Sequence, residues 1–446
     1  MGTDGEGIIK KDGTTVFVPF CVTGERVKFK VLKVKDNVAY GKLVSIIVPS
    51  EFRVDAPCPV FGKCGGCDIQ HMGYDAQLHF KRLTVGNALS KIGNIHIPVG
   101  ETVPSEKQYG YRNKLALPIG VIDGETVIGF YAPRSHRIVP VDNCHIQAEW
   151  VKDVICAVKQ FAALGFKGYD GESGKGELRH IVVREIKGKF IFALVCTKKI
   201  DLAPFVEILK GKFKQFTLLL NINSQNTNAI FGKNFYTVYG DGFFGAEEFG
   251  IKYRAGANTF LQVNDGMRAK LYSAVLEEAE EGVTAIDLYS GGGLLTAMLA
   301  KKCGKAYGIE IVQEASRCAD ELKEQNGLEG SMFNICGKVE EEIEKVFAGT
   351  PGKKVIVCDP PRKGIERSSI KAIGSSGADK IIYISCNPAT LARDLGILLG
   401  TLVEERGGLV KSNTPKSDYE IVSITPYDMF PQTRHVETVV CLRKKS

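Results

Sequence analysis

No run in this 446-residue chain approaches the about 18 apolar residues that a membrane span requires. No charged-then-apolar leader opens it either. The expectation is a cytoplasmic protein with no membrane partner. Charge of one sign is not in excess: 58 Lys and Arg stand against 51 Asp and Glu, a net +7. So mild a balance is compatible with nucleic acid but does not argue for it. The thirteen cysteines are an odd number, which excludes a fully paired extracellular disulfide framework. In a reducing compartment they point to metal, cluster or catalysis. The strict G-x-G-x-x-G spacing is also absent, which disfavours NAD and FAD. The rest of the composition, 44% hydrophobic and 24% charged, is that of an ordinary globular chain, long enough for roughly two to four domains.

Three segments differ in pattern. Residues 1–49 carry short strand-like runs (Thr15–Val18, Glu25–Val31) punctuated by glycine, the pattern of a small, partly open β-barrel. Lys28, Lys30, Lys33, Lys35 and Lys42 make it basic. Only four residues precede Gly5, so the expectation is either that Met1 is not the native start or that the first strand is absent and the barrel is frayed, with an unpaired edge near Val16–Val18. Residues 50–250 begin with a cysteine cluster and a helix near Tyr74–Ile92. They continue as mixed α/β, with a helix over 147–164 and strands at 178–184, 190–196 and 216–222. From 251 onward apolar runs alternate with helical patterns: Thr284–Leu288, Ala306–Ile309, Met332–Ile335, Val355–Cys358 and Ile381–Ile384. Two more strands follow near 420–425 and 436–442. That alternation predicts a doubly wound, mostly parallel sheet.

The chemistry concentrates at the ends of those strands. Ile381–Ile384 runs into Ser385-Cys386-Asn387-Pro388, which places Cys386 between a strand terminus and a helix N-terminus. The helix dipole there favours thiolate. Lys354–Cys358 ends in Asp359-Pro360-Pro361-Arg362, and both ends face the crevice where open α/β sheets bind ligands. A thiolate beside an acid and an arginine is a catalytic constellation. Cys303, Cys318, Cys336, Cys358 and Cys441 read instead as buried structural cysteines. The first strand leads into Asp287-Leu288-Tyr289-Ser290-Gly291-Gly292-Gly293, a turn that lets backbone approach a ligand. Glu310, at the end of the next strand, fits ribose hydroxyls. With Asp359 on a later strand, S-adenosylmethionine is the better reading of the cofactor. Its sulfonium is cationic and it carries no phosphate, so acids can line its site. Elsewhere Cys58, Cys64 and Cys67 fall within ten residues, and Cys144, in a polar loop after a strand, is the expected fourth ligand. Such a set suits Zn²⁺ or a [4Fe–4S] cluster, although the spacing lacks the paired pattern of zinc ribbons.

Over nearly its whole length the chain resembles the cluster-containing RNA uracil-5-methyltransferases, especially the bacterial enzymes acting on 23S ribosomal RNA. The resemblance rests on Gly5-Glu6-Gly7 through Val18-Pro19, the cysteine set, and Gln70-His71-x-x-Tyr74. Tyr111-Arg112-Asn113-Lys114, Arg134-Ser135-His136 and Phe260-Leu261-Gln262-Val263-Asn264 extend it. Asp359-Pro360-Pro361-Arg362, Ser385-Cys386-Asn387-Pro388 and Phe430-Pro431-Gln432-Thr433-Arg434-His435-Val436-Glu437 complete it. It implies an N-terminal TRAM (OB-like) barrel over 1–49, a central α/β domain with an iron–sulfur cluster over 50–250, and a Rossmann-like S-adenosylmethionine-dependent methyltransferase domain over 251–446. It implies a [4Fe–4S] cluster on Cys58, Cys64, Cys67 and Cys144, and an S-adenosylmethionine site including Gln262, Tyr289, Gly291, Glu310 and Asp359. Cys386 is implied as nucleophile and Glu437 as base. Arg112, Lys114, Arg134, His136 and Phe260, within the same motifs, are the expected RNA contacts. The expected substrate is a uridine flipped out of 23S ribosomal RNA, and the expected state a monomer. The rivals are 5-methyluridine formation in transfer RNA, cytosine-C5 methylation, and a non-catalytic RNA-binding iron–sulfur protein.

Overall fold

The computed structural model describes residues 1–405, 407–412 and 414–445. The N-terminal segment forms β1 (Gly7–Lys11), β2 (Thr14–Val18), β3 (Arg26–Lys35) and β4 (Val38–Val48). They make one sheet in the order β1-β2-β4-β3, with β2 and β4 parallel. Its buried apolar core is small, formed by Val16, Val18, Cys21 and Ala39. The unpaired edge expected along Val16–Val18 is not found. Val16 and Phe17 pair with β1 on one side and β4 on the other, and Val18 pairs with Gly7.

The middle of the chain forms α1 (Tyr74–Lys91), β5 (Lys114–Ile122), β6 (Glu125–Tyr131), β7 (Ile138–Pro140) and α2 (Val151–Ala162). Then come β8 (Leu178–Ile186), β9 (Lys189–Cys196), α3 (Ala203–Lys210), β10 (Phe216–Ile222) and β11 (Asn234–Tyr239). Its sheet runs β11-β10-β9-β8-β5-β6-β7. Only the β9–β10 pair is parallel, and the crossover it requires is α3. Phe192, Phe205 and Phe161 fill the core against α2 and α3. A hairpin, β12 (Phe243–Glu248) and β13 (Ile251–Gly256), follows. The boundary expected at 250/251 falls in its turn, where Phe249 and Gly250 have positive φ. Ile251, Tyr253 and Ala255 on β13 pack into the core of the C-terminal sheet.

The C-terminal part alternates as expected. It comprises α4 (Asp265–Glu278), β14 (Thr284–Leu288), α5 (Leu294–Cys303), β15 (Lys305–Glu310), α6 (Gln313–Gln325), β16 (Met332–Cys336), α7 (Val339–Ala348) and β17 (Lys354–Cys358). It continues with α8 (Arg367–Ser375), β18 (Lys380–Ser385), α9 (Pro388–Leu398), a small hairpin β19 (Leu402–Glu405) and β20 (Gly408–Lys411), then β21 (Tyr419–Tyr427) and β22 (Glu437–Lys444). The sheet order is β16-β15-β14-β17-β18-β22-β21. Strands β14 to β18 are parallel, β22 is antiparallel to β18, and β21 is antiparallel to β22. Strands buried on both faces read as unbroken apolar runs. Ile381, Ile382 and Ile384 are accordingly all inaccessible, and each such side chain contributes about 1.5–3 kcal/mol by leaving water. Order reverses between β14 and β17, so the crevice opens at their C-terminal ends. Among the described residues, no helix is long and apolar enough to cross a membrane.

Helix α1 belongs to this C-terminal layer in space. Val85, Ala88 and Leu89 share a core with Leu391, Ala392 and Leu395 of α9. The contact is tight: a Cβ at Gly93 would stand 2.5 Å from the Ala392 carbonyl oxygen. Gly93→Ala is therefore expected to destabilise the protein by about 1–3 kcal/mol, read as a lowered midpoint of denaturant unfolding.

Candidate active site

Strand β18 ends at Ser385, and Asn387 caps α9 by accepting the Ala389 N–H at 3.1 Å, with Pro388 in the first turn. Cys386 is the residue between. Across the sheet, Ser385, the last residue of β18, pairs with Thr438 of β22, so Cys386 and Glu437 flank the end of that ladder, and the Glu437 carboxylate acts electrostatically on the Cys386 thiol. Asp359 follows β17 on the neighbouring strand, its N–H directed at the Leu288 carbonyl. Cys386, Glu437, Asp359 and Arg362 act on one another electrostatically. Sequence-distant strands thus bring together the expected nucleophile, the expected base and an acid.

The thiolate expectation at Cys386 is not met in the ligand-free protein. Burial and the Glu437 carboxylate push its thiol up to about 11, with Arg362 opposing. The helix terminus is outweighed by burial and then by acids contributed from two other strands. Burial and Asp359 raise Glu437 well above the carboxylate range, against Arg362. Its Oε2 is buried without a hydrogen-bond partner. Burial takes Asp359 to about 7. His435 is pulled down to about 4 by burial and by the cations of Arg362 and Arg434, so its imidazole is neutral.

The glycine turn sits beside this group. Tyr289 adopts a φ of +65°, and Gly291 and Gly293 have positive φ. The glycines differ in purpose. A Cβ on Gly291 or Gly292 would meet open space, whereas one on Gly293 would lie 2.6 Å from the Ala319 Cβ. Gly293 is therefore needed for packing against α6 rather than for approach to a ligand. The Glu310 carboxylate accepts the Gly291 N–H at 3.0 Å and the Val312 N–H at 2.7 Å, lashing the turn to β15. Asp287, given no role by the motif reading, is buried and accepts the Thr296 hydroxyl at 2.6 Å. Burial, together with Asp359 and Glu310, raises it to about 7. An acid inside the otherwise apolar Thr284–Leu288 strand was the signal for it. Gln262 is buried, and its carbonyl accepts Arg268 Nη1 at 3.1 Å.

Of the expected RNA contacts, Arg112 bridges to Asn264 and Gln147, and Asn113 donates its N–H to the Val263 carbonyl at 2.9 Å. Two motifs are thereby joined. Lys114 lies in β5 opposite Arg184, and burial lowers it to about 8. Arg134, at a φ of +55°, is exposed and pairs with Asp4 at 3.5 Å. His136 lies against the Tyr131 ring, and Phe260 is 78% exposed. A cavity of about 560 Å³ opens over Cys386, walled by Phe17 of the N-terminal sheet, Lys91 of α1, and Arg362, Arg434 and His435 of the rim. Arg362 was already a candidate from its place beside Asp359, whereas Arg434 and His435 are marked as candidates only by their position on this wall.

Cys58, Cys64, Cys67 and Cys144 all lie within electrostatic reach of Cys67. Their sulfurs are approached by hydrogen-bond donors. Gly66 N–H reaches the Cys64 sulfur at 3.3 Å. Backbone groups of Gln147 and Ile146 reach Cys144, and the Gln70 side chain reaches Cys67. Among the described residues, no group of three or more His, Cys, Asp or Glu side chains is gathered closely enough for a metal ion. Of the cysteines expected to be buried, Cys303, Cys358 and Cys441 are, but Cys318 and Cys336 are exposed. Cys318 lies in α6 and Cys336 at the end of the edge strand β16, where nothing covers them.

The sheet order, the glycine turn and the acid-lined crevice define an S-adenosylmethionine-dependent methyltransferase. The sequence profile of the family described as tRNA (Uracil-5-)-methyltransferase matches residues 183–445. An uncharacterized RNA methyltransferase of Clostridium acetobutylicum is 38% identical, over 100% of this chain and 95% of its own length. One from Halalkalibacterium halodurans is also 38% identical, over 99% and 95%. Among solved structures, the Pyrococcus abyssi tRNA (uracil-54, C5)-methyltransferase in complex with S-adenosyl-L-homocysteine superposes with a TM-score of 0.75. It is 26% identical and covers 99% of this chain and 100% of that one. The chain belongs to the RNA (uracil-5-)-methyltransferase family and is an S-adenosylmethionine-dependent enzyme of that activity.

The raised acids carry a pH signature. A carboxyl group raised in the fold stabilises it fully below its unfolded value, about 3.9 for Asp. That contribution is lost as pH rises through the folded value. For Asp287 and Asp359 the window therefore runs from about 4 to about 7. Across it these two groups favour the fold progressively less, while His435, held near 4, favours it more. Asp359→Asn is expected to remove the Asp359 share of that loss, as measured by scanning calorimetry between pH 4.5 and 8.

Proposed function

We propose that Cys386 adds to C6 of a flipped uridine, that C5 then takes the methyl group, and that Glu437 removes the C5 proton. The observation that carries this reading is the end of the β18–β22 ladder, which brings Glu437 near Cys386, with Cys386 on the wall of a nucleoside-sized cavity. Uracil C5 is a poor nucleophile until a thiolate adds to C6 and drives electron density onto C5. S-adenosylmethionine supplies the methyl group. Its positive charge beside Asp359 favours the ionised forms of Asp359, Cys386 and Glu437 together. The donor is thus expected to activate the residues that use it. Gln262, Tyr289, Gly291 and Glu310 line the donor side. Glu310 then exchanges part of its hold on the glycine turn for ribose hydroxyls.

The substrate we infer is 23S ribosomal RNA, on the motifs shared with the cluster-containing branch and on the basic N-terminal sheet, read as a TRAM barrel. Arg112, Lys114, Arg134, His136 and Phe260 are assigned to phosphates and bases. A specific observation favours a second reading. The Pyrococcus abyssi enzyme, named for a transfer RNA uridine, matches the chain across 99% of its length, the N-terminal and cysteine-bearing parts included. Nucleoside mass spectrometry of ribosomal and transfer RNA from cells with and without the gene separates the two. 5-Methyluridine lost from 23S RNA supports the first reading, and loss confined to transfer RNA replaces it. We further propose that the protein acts as a cytoplasmic monomer.

Cys58, Cys64, Cys67 and Cys144 fit a [4Fe–4S] cluster better than zinc. A tetrahedral zinc ion with Zn–S bonds of about 2.3 Å draws its sulfurs tightly together. A cubane seats each thiolate on a different iron and spaces them more widely. The preference for the second arrangement rests on the motifs shared with the cluster-containing branch; Cys58, Cys64 and Cys144 all act electrostatically on Cys67. Burial holds Cys67 at about 12 and Cys144 at about 11, so only a bound cation makes them thiolates. Anaerobically purified protein is expected to contain about four irons per chain. Zinc without iron would overturn this assignment.

RNA carrying 5-fluorouridine at the target is expected to form a stable covalent adduct that Cys386→Ala abolishes, seen on denaturing gels. With ordinary uridine, Glu437→Gln is expected to accumulate the adduct and stall turnover.

A further inference from the structure

The Glu437 carboxylate is not held by its own contacts, since Oε2 has no partner. Its placement is inherited from the connection between β21 and β22, residues 428–436. Most of the bonds to that connection come from residues 68–111; from outside that range Asn264 Nδ2 donates to the Met429 carbonyl at 3.3 Å and Asp4 faces Arg434 at 3.5 Å. Asp428 is inaccessible and paired with the equally inaccessible Lys81 of α1. Tyr74 Oη donates to Asp428 Oδ2 at 2.7 Å, and Lys81 Nζ also donates to the Phe430 carbonyl at 3.0 Å. Gln77 holds Gln432 at two points. Its Nε2 donates to Gln432 Oε1 at 3.0 Å, and its Oε1 accepts the Gln432 N–H at 3.1 Å. The N–H groups of Asp68 and Ile69, next after Cys67, both donate to the Gln432 carbonyl at 3.2 Å. Tyr111 Oη donates to the Pro431 carbonyl at 3.0 Å.

These bonds converge on Gln432, whose φ is +70°. A non-glycine residue costs of order 1–3 kcal/mol there and persists only where its surroundings impose it. A buried ion pair is also a poor way to gain stability alone, because apolar residues of similar volume usually do as well. Held backbone strain next to a catalytic strand is instead the signature of an imposed geometry.

We propose that Gln77 and Lys81 of α1 are positioning residues for the base, holding the 428–432 turn so that the Glu437 carboxylate points at the C5 proton. This rests on reading Glu437 as the base. It also gives the cysteine-bearing segment a place in the reaction, because Asp68 and Ile69 extend the same grip from the residue after Cys67. The step it governs is release of the methylated product. Addition at C6 and methyl transfer depend on Cys386 and the donor, which this turn does not carry.

The test compares three variants of the full-length protein: Gln77→Ala, Lys81→Met and the pair Lys81→Met with Asp428→Leu. The pair removes both buried charges and is expected to fold even where the single Lys81 change does not. The folded variants are expected to retain S-adenosylmethionine affinity and the rate of adduct formation with 5-fluorouridine RNA. With uridine RNA, turnover is expected to fall about tenfold to a hundredfold, with covalent protein–RNA complex accumulating at steady state. A loss of turnover without that accumulation, or an equal loss in adduct formation, overturns the proposal and marks these residues as structural. A rise in KM for RNA at unchanged kcat overturns it too, and assigns the turn to binding through Arg434 and His435. Glu437→Gln is run alongside. If it stalls while Gln77→Ala turns over freely, the positioning role alone fails. If it turns over freely itself, the base assignment is what fails.

Discussion

The site depends on one strand running the wrong way. In a parallel sheet all C-terminal ends share a rim, and a residue that begins a strand lies at the opposite edge. Strand β22 is antiparallel to β18, so the residue that begins it, Glu437, arrives where β18 ends, at Cys386. The proposed nucleophile and base, more than fifty residues apart in sequence, are brought near each other by the β18–β22 ladder. Everything else on the rim is arranged around that pair: Asp359 from β17, the glycine turn after β14, and the α1 grip on the turn that feeds β22.

The electrostatics follow from the same crowding. Three buried or half-buried carboxyl groups, Asp287, Asp359 and Glu437, sit around a thiol, and each makes ionisation of the next more costly. Arg362 offsets only part of this. Such a site is poorly disposed to react while empty. In the proposed mechanism a cation delivered into it relieves several groups at once, coupling reactivity of the thiol to presence of the methyl donor.

What the sequence revealed divides along the distance over which each feature is determined. The parallel strands were legible because each is a local apolar run, as Thr284–Leu288 and Ile381–Ile384 show. The meander of β5 to β7 and the β12–β13 hairpin were not, since glycine, lysine and glutamate interrupt their patterns. Cys386 was legible as a residue at a strand end, but its protonation was not: the helix terminus beside it is written locally, while Glu437 and Asp359 come from elsewhere. The edge expected at Val16–Val18 failed for a related reason, because pairing with β1 and β4 cannot be seen in β2 itself. The contacts of Gln77 and Lys81 lie roughly 350 positions away and had no local signal at all.

Helix α1 also shapes how the chain can acquire its structure. Its apolar face is completed by α9, which begins about 300 residues later. At synthesis rates of about 5–20 residues per second, α1 leaves the ribosome tens of seconds before its packing partner exists. Val85, Ala88 and Leu89 must stay uncovered through that interval, and the central sheet must form without the helix that precedes it. The union of the two ends therefore comes last, and a nascent chain halted anywhere before α9 presents an orphaned apolar helix to whatever binds such surfaces in the cell.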